Sequence, residues 1–327
     1  MKTKLTLILL VAAVMFCQVV AQKPSDPFAH TYSIVARDTR TGEMAVAVQS
    51  HWFSVGTVVA WGEAGTGVVA TQSFVNKSFG MLGLELLNKG KTAQQSLDEL
   101  LAKDEGREFR QVAILGKTGK PATFTGKNCI QSAGQTSGDD FSVQANMMLN
   151  DRVIPAMEKA WKESVALPLA ERMVQVLKAA QSAGGDIRGK QSAALLVVAG
   201  EKSDEPWNDR LIDLRVDDSA DPIKEIDRLL KVYRAYEHMN EGDLYVEKNE
   251  MEKAMQEYGA AMKMFPDNLE MQYWTAITLA NNKQVDKAQK MLTGIYQKDP
   301  NWRELTKRLP QVGLLNVSES QLKALIK

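Results

Sequence analysis

The chain has 327 residues, with 40 basic and 40 acidic side chains and only two cysteines, Cys17 and Cys129. Balanced charge argues against nucleic acid or a strongly charged surface as the main partner. The length suffices for one sizeable core plus a smaller module, and a single cysteine beyond the N-terminal segment excludes an intrachain disulfide there.

Lys2 and Lys4 give a short basic start, Leu5 to Phe16 is apolar, and Val19-Val20-Ala21 places small side chains where a signal peptidase reads. This pattern predicts a signal peptide over residues 1–21, export to a periplasmic or extracellular address, and a mature start at Gln22. Cleavage would leave 38 basic against 40 acidic residues. The apolar run, about twelve residues, is short for a permanent anchor. Bulky Phe16 before Cys17 speaks against lipid attachment at that cysteine. No later stretch is apolar and long enough for a stable membrane span.

Residues 22–30 carry Pro24 and Pro27 and read as an extended leader. Thr31 to Ala36 and Met44 to Gln49 are rich in β-branched and small apolar residues around a turn containing Gly42, which predicts a hairpin. Thr57 to Trp61 and Gly67 to Thr71 predict a second. The period then changes. Leu82, Leu84, Leu86 and Leu87, then Ala93, Leu97, Leu100 and Leu101, suit two helices split at Lys89-Gly90-Lys91, with Thr92 as N-cap. Gln111 to Leu115, Ala122 to Thr125 and Phe141 to Ala145 return to strand, Val153 to Ser182 reads as helix in two pieces around Pro168, and Ser192 to Val198 and Leu211 to Val216 complete the strand set. This order favours stacked sheets with helices outside them.

From Pro222 onward the chain reads as helix. Pro266 and Pro300 lie 34 residues apart, and Gly242, Tyr245, Ala254, Tyr258 and Ala261 fall at tetratricopeptide spacings before the first of them. Small Gly242 and Ala254 would let two helices approach closely. A second unit keeps Ala276, Ala288 and Pro300, with Leu279 and Leu292 at the aromatic positions. Two units are fewer than solenoids usually need. The tail should therefore lean on Ile223 to Tyr236, on the preceding domain, or on a second copy in a homodimer. It reads either as a platform for a protein or peptide partner or as a stabilising appendage.

Several blocks carry a family resemblance: Tyr32–Asp38, Val46–His51, Ala70–Asn76, Ser142–Met147, Gly184–Leu195 and Asp213–Asp218. Together they resemble the prokaryotic domain-of-unknown-function family 1028, grouped with the N-terminal-nucleophile (Ntn) hydrolases. The resemblance implies an α/β (α+β) four-layer αββα sandwich over residues 31–229, followed by an all-α tetratricopeptide-like module over 230–327. It also implies amidohydrolase chemistry, in which the first residue of the mature domain attacks an amide carbonyl with its own α-amine as base. The matching position is Thr31, with Ser33 further along the strand. Signal cleavage at residue 21 would leave the Thr31 nitrogen acylated, and an amide nitrogen is no base. Either a second cut falls between His30 and Thr31, or Thr31 is a strand threonine.

Other candidates come from polar residues in the matching blocks. Ser50 and His51 end a strand, and His51 would serve as a general base or as a hydrogen-bonded strand-end histidine. Gln72 and Asn76 cluster after one strand. In Ser142-Val143-Gln144-Ala145-Asn146 alternation puts three polar side chains on one face, which describes an internal polar pocket or a solvent-facing edge. Asp186 and Arg188 sit in a glycine-rich loop and would orient a substrate or form a structural ion pair beside a helix cap. No metal-ligand spacing and no nucleotide-binding loop is present, so neither metal nor cofactor is expected. Two functions follow: an exported Ntn-type amidohydrolase acting on peptides or other amides, or a non-catalytic binding module using the same pocket and the helical tail.

Overall fold

A computed structural model of the chain describes residues 28–327. The signal peptide, Cys17 and most of the leader lie outside the described residues. The chain divides into two compact units, the first ending at Ile223 and the second running Lys224–Lys327. Among the described residues no helix is long and apolar enough to cross a membrane.

The first unit is built on two antiparallel sheets. One runs in the order β11-β10-β3-β2-β9-β8, formed by Arg210–Val216, Ser192–Val198, Met44–Ser50, Thr31–Arg37, Phe141–Ala145 and Gly134–Ser137. The other runs β1-β5-β6-β7, formed by Phe28–Ala29, Gly67–Phe74, Arg110–Gly116 and Ala122–Thr125, with β4 (Ala60–Glu63) also pairing β5. The hairpin expected over residues 31–49 is β2 paired with β3, turning through Gly42 at φ 78°. Two strands were not foreseen. Gly134–Ser137 carries only one β-branched residue, Thr136, and opens on a glycine, a weak strand signal. Phe28–Ala29, inside the expected leader, pairs with the end of β5 beyond the stretch that β4 covers.

The facing sides of the sheets supply a shared core, including Val35, Val46 and Val48 from one sheet and Val68, Ala70 and Leu115 from the other. Full burial of each valine or leucine contributes about 1.5–3 kcal/mol. Helices α1 (Ser78–Asn88) and α2 (Ala93–Ala102) cover the second sheet through Phe79, Leu84 and Leu97 packed on Val69, Val112 and Ile114. Thr92 caps α2 as expected, in a reciprocal box with Gln95. Helices α3 (Val153–Glu163) and α4 (Leu169–Ser182) lie against the outer face of the first sheet. The layers therefore run α, β, β, α.

The second unit holds α5 (Pro222–Glu247, beginning just before the division), α6 (Met251–Met264), α7 (Leu269–Asn281), α8 (Val285–Lys298), α9 (Asn301–Arg308) and α10 (Glu319–Leu325). A Cβ at Gly242 would lie 2.3 Å from the Tyr258 ring, the close approach that the repeat spacing implies. The second repeat gains an outer layer from the chain that follows it: Leu309, Leu315 and Leu325 join the core of Tyr273, Ala276, Ala288 and Leu292. That layer supplies burial that two repeats alone lack.

Candidate functional site: a buried amide network around the His30–Thr31 bond

The apolar core between the sheets ends at the start of β2. There the inward side chains turn polar: Thr31, Ser33, Ser50, Gln72, Gln111, Ser142, Gln144 and Asn146 are all fully buried, as is His30. Alternation explains the composition. Ser33 opposes Gln144 across β2 and β9, and Thr31 opposes Ser50 across β2 and β3, so each strand contributes its polar residues to one cluster. Buried polar groups require partners, and these find them in one another.

Backbone carbonyls fix the direction of the network. The Gln111 side-chain nitrogen lies 3.2 Å from the Gly134 carbonyl and 2.9 Å from that of Ala145, which only accept. Gln111 Oε1 therefore accepts, from Gln72 Nε2 at 2.7 Å and Asn146 Nδ2 at 2.8 Å. Gln72 Nε2 also donates to the Thr31 carbonyl at 3.2 Å, which leaves its Oε1 to accept from the Ser33 hydroxyl at 2.6 Å. Ser33 accepts in turn from Gln144 Nε2 at 2.6 Å, and Gln144 Oε1 accepts from Ser142 at 3.0 Å. Asn146 Oδ1 is left facing Nδ1 of His30. The imidazole must then carry a proton on Nδ1. Burial pushes the His30 imidazole below its ordinary value, with Arg188 acting in the same sense and the Asn146 bond and Asp186 against it.

The peptide bond after His30 sits at the focus of this cluster. Its carbonyl oxygen accepts from the Ser50 hydroxyl at 2.5 Å and from Arg188 Nη2 at 2.7 Å. Arg188 is held by Asp186 in a two-pronged pair, at 3.0 Å from Nε to Oδ1 and 2.7 Å from Nη2 to Oδ2. Asp186 is buried and also accepts from the backbone N–H groups of Arg188 and His51. The loop that presents the pair begins as a helix cap. Gly184 N–H bonds Gln181 O, Gly185 N–H bonds Ala180 O, and both glycines hold positive φ, at 135° and 63°. Cap and ion pair, two structural readings of this loop, are both realised, and the ion pair also reaches the His30 carbonyl. The Thr31 hydroxyl donates to the Ala29 carbonyl at 2.8 Å.

The family model described as a family of unknown function (DUF1028) matches residues 31–226. The chain belongs to the DUF1028 family. A tetratricopeptide-repeat model matches residues 245–309 of the helical unit. Among solved structures, the DUF1028 protein SPO2555 from Silicibacter pomeroyi is 28% identical, with a TM-score of 0.56 over 62% of this chain and 88% of that one. No curated protein matches.

Of the expected site residues, the DUF1028 unit brings together Thr31, Ser33, Ser50, Gln72, Gln144 and Asn146, with Asp186 and Arg188 at their edge. Two lie elsewhere. The His51 side chain is exposed, and only its backbone N–H reaches the cluster, through Asp186. Asn76 accepts from the backbone N–H and hydroxyl of Ser78 at the start of α1, a turn-forming role. The Ser33 proton is committed to Gln72, which makes Ser33 a link in the network. Sequence reasoning missed His30 and Gln111. A partial signal for Gln111 existed, an amide second in a strand whose next residues are apolar, although a polar residue there also resembles a strand boundary. Two non-glycine residues beside the cluster, Ser73 at φ 72° and Met147 at φ 59°, hold left-handed backbone, which concentrates strain of about 1–3 kcal/mol each there.

Proposed function

We propose that this protein is an exported amidohydrolase whose nucleophile is Thr31, released by cleavage of the His30–Thr31 peptide bond. The observation that carries the reading is the pair of donors, Ser50 and Arg188, on the carbonyl oxygen of that one bond. Two donors on a carbonyl stabilise the charge that develops when a nucleophile adds to its carbon. The Thr31 hydroxyl belongs to the adjacent residue and closes a five-membered ring on that carbon, so proximity is built in. Addition gives an oxyanion facing Ser50 and Arg188. The C–N bond then breaks, the hydroxyl proton ends on the Thr31 nitrogen, and His30 is held as an ester. Water hydrolyses the ester, yielding a leader carboxylate and a Thr31 with free hydroxyl and amine. In turnover the freed amine, ordinarily titrating near pH 7.7–8.0, takes the hydroxyl proton as Thr31 attacks a substrate amide. The same two donors serve the second reaction as they serve the first.

Export rests on the basic start, apolar run and small residues at 19–21. The helical-repeat unit is assigned a protein or peptide partner, the usual use of tetratricopeptide repeats. The deciding experiment is intact-mass analysis of protein recovered from its native compartment, beside Thr31→Ala. A species beginning at Thr31 in wild type and absent from the variant supports the reading. Activity on amides from a species that still carries the leader would sink it.

A second reading, a non-catalytic module that meets its partner through the helical repeats, is favoured by one observation: every polar side chain from Ser142 to Asn146 in the network already has a partner inside the protein. It requires an intact leader in the native protein.

A further inference from the structure

The leader residues occupy the first unit as a substrate would. Phe28 and Ala29 add a short antiparallel strand to β5, in register with Phe74 and Ser73, on the edge that β4 leaves open beyond Ala70. An added strand is recognised through its backbone, which is indifferent to side chains. His30 is different. It is fully buried, its ring meets Phe74 edge to face at 5.9 Å and 86°, and its Nδ1 faces Asn146 Oδ1. That oxygen is an acceptor by necessity, because Gln111 takes the Asn146 amide protons and is itself oriented by backbone carbonyls.

We infer that the strip of β5 under Phe28–His30 is the acyl subsite of the matured enzyme. Its substrates are peptides or peptidyl amides whose acyl side lies as a strand along Ser73 and Phe74, with a histidine or another hydrogen-bond-donating side chain just before the scissile amide. The inference rests on the proposed Thr31 nucleophile. Maturation and turnover then present an acyl group to the same hydroxyl and the same two donors, so the group cut off first marks where later ones sit. In turnover the scissile C–N bond breaks, the acyl group passes to Thr31 Oγ1 and then to water, and the amine leaves with the proton. An apolar residue before the scissile bond would leave Asn146 Oδ1 buried without a donor, and an aspartate would set a carboxylate against it. The released leader ends in a carboxylate beside Arg188, so it should remain a ligand of the site.

The test uses wild-type full-length protein whose start at Thr31 has been verified by intact mass. Three fluorogenic amides are compared: acetyl-Phe-Ala-His, acetyl-Phe-Ala-Leu and acetyl-Phe-Ala-Asp linked to aminomethylcoumarin. The expected result is a kcat/KM for the histidine amide at least about tenfold above the other two. That ratio corresponds to about 1.4 kcal/mol, the scale of one buried unpaired acceptor. The peptide Asp-Pro-Phe-Ala-His, with a free carboxylate, is expected to inhibit competitively. Rates within twofold across the three amides, or turnover of none of them, overturn this inference and leave the nucleophile standing. Absence of any species beginning at Thr31 overturns both.

Discussion

Replacing Ser50 with alanine removes one of the two donors on the His30 carbonyl and little else. The hydroxyl makes its bond to that oxygen at 2.5 Å, and Ser50, fully buried at the end of β3, is paired with Thr31 on one side and Ser192 on the other, which holds its backbone in place. Loss of a single oxyanion donor typically slows acyl transfer about 10²–10³-fold. Here the bond is already made to the ground-state carbonyl, and only its strengthening in the transition state counts toward rate. The lower end, about 10²-fold, is therefore the expected slowing of His30–Thr31 cleavage. The cost in stability should be only about 1 kcal/mol, one net hydrogen bond. The assay is the cleaved fraction by intact mass over time in freshly purified full-length protein, with Thr31→Ala as the uncleavable reference. Arg188→Met is a harsher companion, because it also strands the buried Asp186 carboxylate. Cleavage of Ser50→Ala within twofold of wild type would show that the two donors do not act on this bond, and the self-processing argument would fail with them.

Gln111→Leu removes the hub that orients the network and strands Asn146 Nδ2 at a fully buried position. At about 1–3 kcal/mol for each orphaned group, thermal unfolding of the first unit should fall on the order of 10 °C; a fall under about 2 °C would mean that water replaces the amide. His30 gives a pH signature in uncleavable Thr31→Ala protein. Its folded value lies below the ordinary 6.5 through burial, so below pH 6.5 the unfolded chain binds the proton that the folded chain refuses. Stability should be fully present above pH 6.5 and decline as pH falls from there toward the folded value, by at most about 1.4 kcal/mol per pH unit. His30→Gln in the same background should flatten that slope in urea titrations, and an unchanged slope would refute the assignment. In the helical unit the Thr306 hydroxyl donates to the Trp302 carbonyl at 2.9 Å, so Tyr273 and Tyr296 must both donate to it, at 2.9 and 2.8 Å. Burial pushes the Tyr273 phenol up to about 12. Thr306→Val leaves two buried phenols without an acceptor and should cost about 2–4 kcal/mol in urea unfolding, whereas a loss under 1 kcal/mol would mean that the tyrosines find other partners.

What could be read from the sequence follows from the range over which each signal acts. The β2–β3 hairpin, the Thr92 cap and the 34-residue repeat are local patterns, and the structure forms each of them. Gln72, Gln144 and Asn146 were legible as polar intrusions in strand blocks, because an amide facing a sheet interior demands a partner. Gln111 was harder to read because it is second in its strand, after Arg110, where a polar residue looks like a boundary. His30 was hidden differently. It follows a proline-bearing leader, and the strand that positions it is two residues long and pairs with Ser73 and Phe74, far along the chain. No window of sequence contains both halves of that pairing. His51 drew attention because it ends a predicted strand, yet beyond Ser50 the chain turns outward and its ring is exposed.

The composition of the cluster bears on why an amine there would work as a base. Neutral amides and hydroxyls are cheaper to bury than charges, and the ion pair that reaches the His30 carbonyl, Asp186–Arg188, turns its guanidinium to that oxygen. In the proposed mature form, once the leader has left, the Thr31 amine would have Arg188 close by, and the side chains of the network around it would be neutral amides and hydroxyls. A nearby cation favours the neutral form of an amine. An α-amine that ordinarily titrates near pH 7.7–8.0 would be biased toward the neutral form that can accept the Thr31 hydroxyl proton. A carboxylate at the position of Gln72 or Gln144 would reverse that bias and keep the amine protonated. The amides thus do one thing that acids of the same shape would not, folding without a charge to satisfy, and in the proposed mature form they would also leave the base free.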